Sequence, residues 1–399
     1  MTNGDEPMAY PFGEIDRLLL DDRYAVLREG EPVSKIRLPY GGDGWLVTRY
    51  ADIKTVLGDP RFSAAAILNR DVPRGFPLIL REHSLGTMDP PEHTRLRKLV
   101  GKAFTARRVE QLRPRTQQLV DHLLDRMAAD GPPGDLVSAL ALPLPIKVIC
   151  DLLGIPVADR ERFRVWSDIA LAITSNSPEE IRESRDQIRA YIGELVQQRK
   201  KMPTEDLLSV LVQARAEGAQ LSEEEIVVTG AGLLIAGFET TANHIANFTF
   251  NLLTHPDQLD KLIADPELVP RAVEELLRYT PLGATPGFPR IATEDLELGG
   301  VSIRRGDAVF FEIASANRDS AVFDGPDELD LAREHNSHMA LGHGPHYCIG
   351  AQLARMELQV AIGTLIKRFP QLSFAVPVDE VVWKRGRMTR GPEALPITW

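Results

Sequence analysis

Cysteine is almost absent from this chain: only Cys150 and Cys348 occur among 399 residues, and they lie far apart in the sequence. A framework of disulfides is therefore excluded, and the composition fits a reducing compartment, which predicts a cytoplasmic protein. A chain of this length buries roughly three-quarters of the surface that it exposes when unfolded, so it needs no disulfides to stay folded.

The chain also lacks an excess of basic residues. Lysine and arginine total 46 against 57 aspartate and glutamate, a formal net charge of −11 at pH 7 with histidine neutral. This sign argues against binding of nucleic acid or an anionic membrane over the whole surface. The exception is a run between His93 and Arg108 without any acid, whose basic residues are Arg95, Arg97, Lys98, Lys102, Arg107 and Arg108.

Long uninterrupted hydrophobic runs are missing as well. Residues 1–16 carry acids and prolines instead of a basic start and an apolar run, so we expect neither a signal peptide nor a membrane anchor there. The most apolar stretch, 226–254, is interrupted by Glu239, His244 and several asparagines and threonines. This pattern predicts a buried core helix and no membrane span.

Hydrophobic periodicity predicts a mainly α protein with a minor β region, an α+β fold class. Residues 33–50 are two extended runs around a Gly-Gly-Asp-Gly turn, which indicates a hairpin. Ser222 and Glu225 form a capping box that opens a helix roughly 50 Å long. Residues 60–88 predict a long loop. We expect one domain over 1–399, with β-rich parts at about 33–50, 290–320 and 371–399 and helical parts at about 90–280 and 350–369.

Histidine concentrates in one segment, residues 335–350, which reads HNSHMALGHGPHYCIG and ends just before a predicted helix. Tetrahedral zinc is one interpretation, since His343, His346 and Cys348 supply three ligands, although no second cysteine lies nearby. A single thiolate on haem iron is another, because the surrounding glycines let a flat macrocycle approach and the helix N-terminus lowers a thiol pKa. A buried cysteine beside a glycine-rich turn is the third.

The stretch from Leu341 to Gly350 resembles the haem-binding loop of the cytochrome P-450 family, Phe-Gly-x-Gly-x-His-x-Cys-x-Gly, with leucine in place of the phenylalanine. The resemblance covers nearly the whole chain. It implies the cytochrome P-450 fold, with a long central helix that crosses the haem. It also implies haem b ligated by Cys348, with Gly342 and Gly350 beside the cofactor.

A second motif lies on the predicted long helix. Residues 236–241 read AGFETT and match the family pattern Ala/Gly-Gly-x-acid-Thr. The resemblance implies that Gly237 leaves room for dioxygen beside the iron and that Glu239 and Thr240 relay protons during dioxygen activation. Taken alone, the motif better fits a glycine for helix packing and a threonine that donates back to a carbonyl.

The family's E-x-x-R motif is present as Glu275 and Arg278, which share a helix face at a spacing of three. The resemblance gives this pair a structural role behind the haem loop. The arginine that usually joins it is missing, because Glu328 stands at the matching position. Arg318 and Arg333 are the two candidates for its replacement.

The resemblance further assigns the haem propionates to His93, Arg97, Arg290 and His346, since charged donors suit these anions. The basic run from His93 to Arg108 lies on the face where the family receives electrons. It predicts docking of an acidic ferredoxin, which a ferredoxin reductase serves. Substrate would lie above the haem, opposite the cysteine, within reach of Leu233, Ala236, Ala284, Thr285, Phe288 and Met388.

The layout of the chain resembles soluble actinobacterial enzymes that tailor secondary metabolites. The expected activity is that of a haem-thiolate monooxygenase, which inserts one oxygen atom of O2 into a natural product such as a macrolide, another polyketide or a cyclic peptide. Hydroxylation and epoxidation are the expected outcomes. The alternatives are oxidative C–C or C–N coupling of aromatic units, peroxide-driven turnover, and a non-catalytic haem sensor or carrier.

Overall fold

The computed structural model describes residues 6–284 and 287–399. Internal contacts divide them into two compact units. We call the first the mixed unit; it comprises 6–94, 277–329 (without 285–286) and 334–348. The second, the helical unit, comprises 95–276, 330–333 and 349–399. That they form the single domain expected from the sequence stays a prediction.

Helices make up most of the regular structure, as the periodicity predicted. The long loop expected at 60–88 is mostly irregular and holds only one short strand and one helical turn. The α-helices of the described residues are α1 Arg23–Glu29, α2 Tyr50–Gly58, α3 Glu92–Gly101, α4 Ala106–Asp130, α5 Pro143–Leu153, α6 Arg160–Ala170, α7 Pro178–Lys201, α8 Leu207–Ala216, α9 Glu223–Thr254, α10 Pro256–Ala264, α11 Val269–Tyr279, α12 Ile313–Ala316 and α13 Ala351–Arg368.

The strands of the described residues are β1 Met8–Ala9, β2 Val33–Arg37, β3 Asp43–Val47, β4 Phe62–Ser63, β5 Gly134–Asp135, β6 Arg290–Ala292, β7 Leu296–Leu298, β8 Val301–Ile303, β9 Ala308–Phe311, β10 Ser373–Phe374 and β11 Pro396–Thr398. They form three sheets, in the orders β1-β2-β3-β9-β6-β4, β10-β11-β5 and β7-β8. The predicted hairpin is confirmed: β2 and β3 pair antiparallel, with Val33 opposite Val47.

The six-stranded sheet of the mixed unit separates two apolar cores. Side chains alternate between the faces of a strand, so Val47 and Val309 pack in one core while their neighbours Leu46 and Phe310 pack in the other. Because both faces are covered, the central strands are held firmly. The N-terminal residue of β6, Arg290, is thereby fixed in position opposite Val309.

Helix α9 is the core of the helical unit. Its capping box is present as predicted: the Ser222 hydroxyl accepts from the Glu225 N–H, and the Glu225 carboxylate accepts from the Ser222 N–H. Helices α5, α7 and α13 pack against α9. α9 has the length and apolar character of a membrane span, yet more than half of its most apolar window is buried inside the protein. This burial fits the core helix expected from the sequence.

The C-terminal strands do not join the six-stranded sheet. β10 and β11 pair with β5 and belong to the helical unit. Between them, residues 382–393 fold back as a hairpin, which we call the C-terminal hairpin. Its arms are joined by bonds from the Lys384 N–H to the Gly391 carbonyl and from the Glu393 N–H to the Val382 carbonyl, both 2.9 Å.

Candidate active site

Cys348 closes a short loop of the mixed unit. The Cys348 N–H donates to the Leu341 carbonyl at 2.8 Å, and the Gly342 N–H donates to the Met339 carbonyl at 2.7 Å. Gly342 has a φ of +79°, a conformation that favours glycine. The thiol is half-buried and forms no disulfide, and α13 begins three residues later. The loop therefore holds one thiol in a fixed place, and this thiol is not paired with the second cysteine in a disulfide.

Three basic side chains gather beside this loop: His93, Arg290 and His346. The imidazole rings of His93 and His346 have centroids 4.3 Å apart, and Arg290 is only 7% exposed. Burial lowers the pKa of His346 to about 4, and the charges of Arg290 and His93 act in the same direction. Burial also lowers the pKa of Arg290. Three basic groups that are largely buried together favour the binding of an anion among them.

The neighbouring carboxylate, Asp89, is already engaged. It accepts hydrogen bonds from the N–H groups of Ala64 at 2.8 Å and Ala65 at 3.3 Å, and from the hydroxyl of Ser63. Within the described residues, no side chain accepts a hydrogen bond from the Arg290 guanidinium, which lies over the Phe311 ring, 5.9 Å from its centroid. A buried cation without an acceptor is costly. The cluster therefore fits a cofactor that carries carboxylates, as haem does.

Two further residues predicted to touch the cofactor, Arg97 and Gly350, belong to the helical unit. Arg97 is half-buried and follows His93 by one turn of α3. Gly350 is the N-cap of α13, with a φ of −87°. Their contact with a cofactor stays a prediction.

Helix α9 is buried over much of its length but leaves one strip open. All of 241–252 is buried, whereas Leu233, Ala236, Gly237 and Thr240 are half-buried or exposed. Spacings of three and four residues place these four on one helix face. Ala236 and Thr240 carry small side chains, so the strip leaves room for a flat group beside the helix, while Gly237 lies at the edge of the strip, against α5.

Gly237 has a clear packing reason. A Cβ at this position would lie 2.9 Å from Cδ1 of Ile149 on α5. Glycine inside a helix costs about 1 kcal/mol relative to alanine, and the close approach of α5 to α9 offsets that cost. The role of Gly237 beside dioxygen stays a prediction.

The carboxyl of Glu239 is buried and faces the C-terminal hairpin. Glu239 is 2% exposed, and its Oε1 accepts a hydrogen bond from the Thr389 hydroxyl at 2.9 Å. Within the described part of the chain, no donor reaches its Oε2. Burial raises the pKa of Glu239, while the positive charge of Lys384 and the Thr389 hydrogen bond oppose that rise. The group is therefore suited to hold a proton and to release it.

Thr240 faces away from its acidic neighbour. Its hydroxyl donates to the Ala236 carbonyl at 2.9 Å, which leaves the oxygen lone pairs able to accept. No hydrogen bond joins Thr240 to Glu239 among the described residues, because successive side chains on a helix point about 100° apart. The two groups of the predicted acid–alcohol pair thus lie on different faces of α9.

The third partner of the E-x-x-R motif is Arg333. Its Nε lies 3.0 Å from Oε2 of Glu275, with side-chain exposures of 10% and 0%. Oε1 of the same carboxylate accepts from the Asp330 N–H at 3.0 Å. Of the two candidates left open by the sequence, Arg333 thus makes this ion pair.

Arg278 and Arg318 bind main-chain carbonyls of the mixed unit. Arg278 donates to the carbonyls of Asn317 at 2.8 Å, Pro326 at 2.6 Å and Glu328 at 2.9 Å. Arg318 donates to Pro326 at 3.1 Å as well as to Tyr279. The segment that carries glutamate in place of the usual arginine is therefore held through its backbone.

The residues predicted to touch substrate occur in three places. Ala284 and Phe288 are half-buried ahead of β6, and the Phe288 ring packs edge-on against Phe76, with centroids 5.4 Å apart. Met388, on the C-terminal hairpin, donates its N–H to the Leu171 carbonyl at 3.2 Å. The others are Leu233 and Ala236, on the open strip of α9, and Thr285, which lies outside the described residues.

The basic run of the sequence is only partly a free surface. Arg95 is engaged, since it donates to the Gln220 carbonyl and pairs with Glu225. The members that are exposed and make no ion pair with any described residue are Lys98, Lys102, Arg107 and Arg108, which we call the basic surface.

Sequence reasoning missed two groups near Glu239. Lys384 donates to Asn243 Oδ1, and the Asn243 amide donates to the Thr389 hydroxyl, each at 2.9 Å. Asn243 lies one helical turn after Glu239, so the i, i+4 rule could have paired them. No motif marks Lys384, because its position depends on the C-terminal hairpin.

Comparison with known proteins agrees with this geometry. The family described as Cytochrome P450 matches residues 157–379. Mycinamicin IV hydroxylase/epoxidase of Micromonospora griseorubida is 48% identical over 394 residues, which cover 99% of each chain. Nocardicin C N-oxygenase of Nocardia uniformis subsp. tsuyamanensis is 51% identical over 400 residues, which cover 100% of each chain.

A solved structure gives the same result. The LnmA cytochrome P450 hydroxylase from the leinamycin biosynthetic pathway of Streptomyces atroolivaceus S-140 has a TM-score of 0.92 and 50% identity, over 98% of this chain and 100% of the other. The chain therefore belongs to the cytochrome P450 family, and the predicted fold class is confirmed. It is a monooxygenase, and its cofactor is haem b held by a cysteine thiolate.

Proposed function

We propose that this enzyme inserts one oxygen atom of O2 into a natural product, such as a macrolide, another polyketide or a cyclic peptide. The observation that carries the proposal is full-length similarity, at about half identity, to relatives named for oxygen insertion: mycinamicin IV hydroxylase/epoxidase and nocardicin C N-oxygenase. A ferredoxin and its reductase would supply the electrons in the cytoplasm. Contact with the substrate would come from Leu233, Ala236, Ala284, Thr285, Phe288 and Met388.

In this proposal the mixed unit anchors the cofactor. Cys348 is the thiolate ligand, and the buried cluster of His93, Arg290 and His346 holds the haem propionates, joined by Arg97. Haem b, when bound, supplies dioxygen activation and oxygen transfer. The backbone at Gly342 and Gly350 lies against the macrocycle, and the chain orients the substrate and excludes water.

In the helical unit, Glu239 holds the proton that dioxygen activation consumes, at its unbonded Oε2. Thr240 accepts a hydrogen bond on the open strip of α9, because its own proton is committed to the Ala236 carbonyl. Since no bond joins the two side chains, a water molecule or a rotation of the Glu239 carboxyl must carry the proton between them.

Arg290 is expected to control haem retention. Arg290→Leu removes charge-assisted hydrogen bonds, worth about 1.5–3 kcal/mol, so haem should leave about 10–100 times faster. The measurement is haem transfer to excess apomyoglobin. Arg305→Leu, which removes an exposed arginine of the same unit, should leave the rate unchanged. An equal rate in the two variants would contradict the propionate role.

Glu239→Gln is expected to uncouple NADH consumption from product formation. The amide keeps the shape of the side chain but cannot release a proton. General acid–base groups contribute about 10²–10⁴-fold to the reaction rate. Product formed per NADH consumed should fall, and hydrogen peroxide should rise. Glu224→Gln, on the exposed first turn of α9, is the matched control. Unchanged coupling in Glu239→Gln would overturn the role given to this carboxyl.

The basic surface is expected to steer an acidic ferredoxin. Lys98→Gln together with Arg108→Gln should lower the second-order rate of reduction about tenfold at low ionic strength and weaken its dependence on salt. The measurement is stopped-flow reduction at several salt concentrations, with Lys261→Gln, an exposed residue of α10, as control. Rates equal to those of the control would contradict this docking site.

Oxidative coupling is the second candidate function. A structure of cytochrome P450mel 107F1, described as having biaryl coupling reactivity, is 45% identical to this chain with a TM-score of 0.95. A natural-product library screened by spectral shift would supply a substrate. Turnover under ¹⁸O-labelled dioxygen should then give a product that carries one labelled oxygen. A product that has lost hydrogens and gained no label would establish coupling instead.

A further inference from the structure

A row of three hydrogen bonds, which we call the file, connects the C-terminal hairpin to Glu239. Lys384 Nζ lies 2.9 Å from Asn243 Oδ1, Asn243 Nδ2 lies 2.9 Å from Thr389 Oγ1, and Thr389 Oγ1 lies 2.9 Å from Glu239 Oε1. Asn243 and Glu239 are each 2% exposed, and Lys384 and Thr389 are half-buried. All four side chains belong to the helical unit.

The chemistry of the groups fixes the direction of this file. An ammonium only donates, so the Asn243 oxygen must face Lys384 and the Asn243 nitrogen must face Thr389. The amide nitrogen also only donates, so the Thr389 hydroxyl accepts a hydrogen bond from it and donates its own proton to Glu239 Oε1. The positive end at Lys384 thus determines which oxygen of Glu239 is occupied, and Oε2 is left without a donor among the described residues.

The backbone around the file leaves it little freedom. A methyl group at Gly391 would overlap the Asn243 side chain, so the hairpin presses directly against this amide. The next turn of α9 is tied down as well, because Asn247 donates to the Arg390 carbonyl at 3.0 Å. The close backbone keeps the Asn243 side chain in place, and its hydrogen bonds to Lys384 and Thr389 fix which end of the amide faces each of them.

We propose that Lys384 is a positioning residue for Glu239: through Asn243 and Thr389 it commits Oε1 to the hydrogen-bonded file and assigns proton binding and release to Oε2. This inference rests on the proposed role of Glu239 in proton delivery. Asparagine is a poor carrier of protons, so the file orients the carboxyl and stabilises its ionised form, and it does not itself conduct.

The charges around the file agree with this role. Burial raises the pKa of Glu239 and lowers that of Lys384, while the attraction between the two opposes both effects. The other charged groups that act on this site are Asp168 of α6 and Arg387 and Glu393 of the C-terminal hairpin. Burial already outweighs this attraction, so the pKa of Glu239 is raised overall; without Lys384 the rise would be larger, and the carboxyl would keep its proton to still higher pH.

The first test follows the carboxyl itself. Infrared difference spectra of the holoenzyme across pH would show the protonated carboxyl band of Glu239, identified by its loss in Glu239→Gln. We expect Lys384→Met to move the titration of this band to higher pH by about one pH unit. Lys384→Arg should restore it towards wild type, and Lys261→Met, a surface control, should leave it in place.

The second test measures coupling, the amount of product formed per NADH consumed. The pH profile of product formed per NADH should move in the same direction in Lys384→Met as the infrared titration does. Thr389→Val removes the donor to Oε1 without touching the charge. Because that hydrogen bond lowers the pKa of Glu239, this variant should also move the titration to higher pH and lower coupling, and it tests the file if Lys384→Met does not fold. Unmoved titration and coupling in both variants would overturn the inference. Unchanged coupling in Glu239→Gln would instead overturn the proposed role of Glu239.

Discussion

Replacing Cys348 with alanine is expected to lower product formation by at least about 10³-fold, because oxygen transfer depends on a cofactor whose reactivity the thiolate sets. The haem should still bind, since the cluster of Arg290, His93 and His346 is untouched. The measurements are product formed under saturating ferredoxin and reductase, and haem content per chain.

Cys150→Ala is the matched control for this variant. Cys150 is completely buried in α5, and burial raises the pKa of its thiol to about 12, so the thiol stays protonated at neutral pH. Its replacement should leave turnover within about twofold. Loss of turnover in Cys150→Ala with activity retained in Cys348→Ala would contradict the assignment of the ligand.

Arg333→Met is expected to lower the free energy of unfolding by about 3–5 kcal/mol. Removing the arginine takes one cation away from the carboxylate of Glu275, which is buried at 0% exposure, and breaking one side of a buried ion pair has a cost of this size. The measurement is urea denaturation of the holoenzyme followed by circular dichroism. Arg333→Lys keeps the charge, so its free energy of unfolding should fall by less.

An exposed pair offers the comparison. Arg318 and Asp327 lie 3.4 Å apart, but the Asp327 side chain is 79% exposed. Asp327→Asn should change stability by no more than about 0.5 kcal/mol, since solvent screens such pairs. A loss in Arg333→Met as small as in Asp327→Asn would mean that Arg333 is not the structural third partner of the motif.

Where the signal was local, the sequence predicted the structure well. The capping box of Ser222 and Glu225, the hairpin of β2 and β3, and the helix that starts just after Cys348 all depend on residues close in the chain. Propensity and turn chemistry act over the same short distances. The helices that carry the candidate site were predictable for this reason.

Contacts that depend on long-range placement were beyond sequence reasoning. The choice between Arg318 and Arg333 rested on how 330–333 folds onto α11, and nothing in the local pattern encodes that. The separation of Glu239 from Thr240 follows from helix geometry, yet the family motif suggested a working pair. Lys384 stands 145 positions from Glu239 in sequence, and only the C-terminal hairpin brings them together.

The absorbance spectrum of the reduced holoenzyme under carbon monoxide shows whether Cys348 ligates the haem iron as a thiolate. A thiolate ligand donates electron density to the iron, so we expect a strongly red-shifted Soret band. A Soret band at the shorter wavelength typical of a nitrogen ligand or a protonated thiol would contradict the assignment of Cys348 as the thiolate ligand.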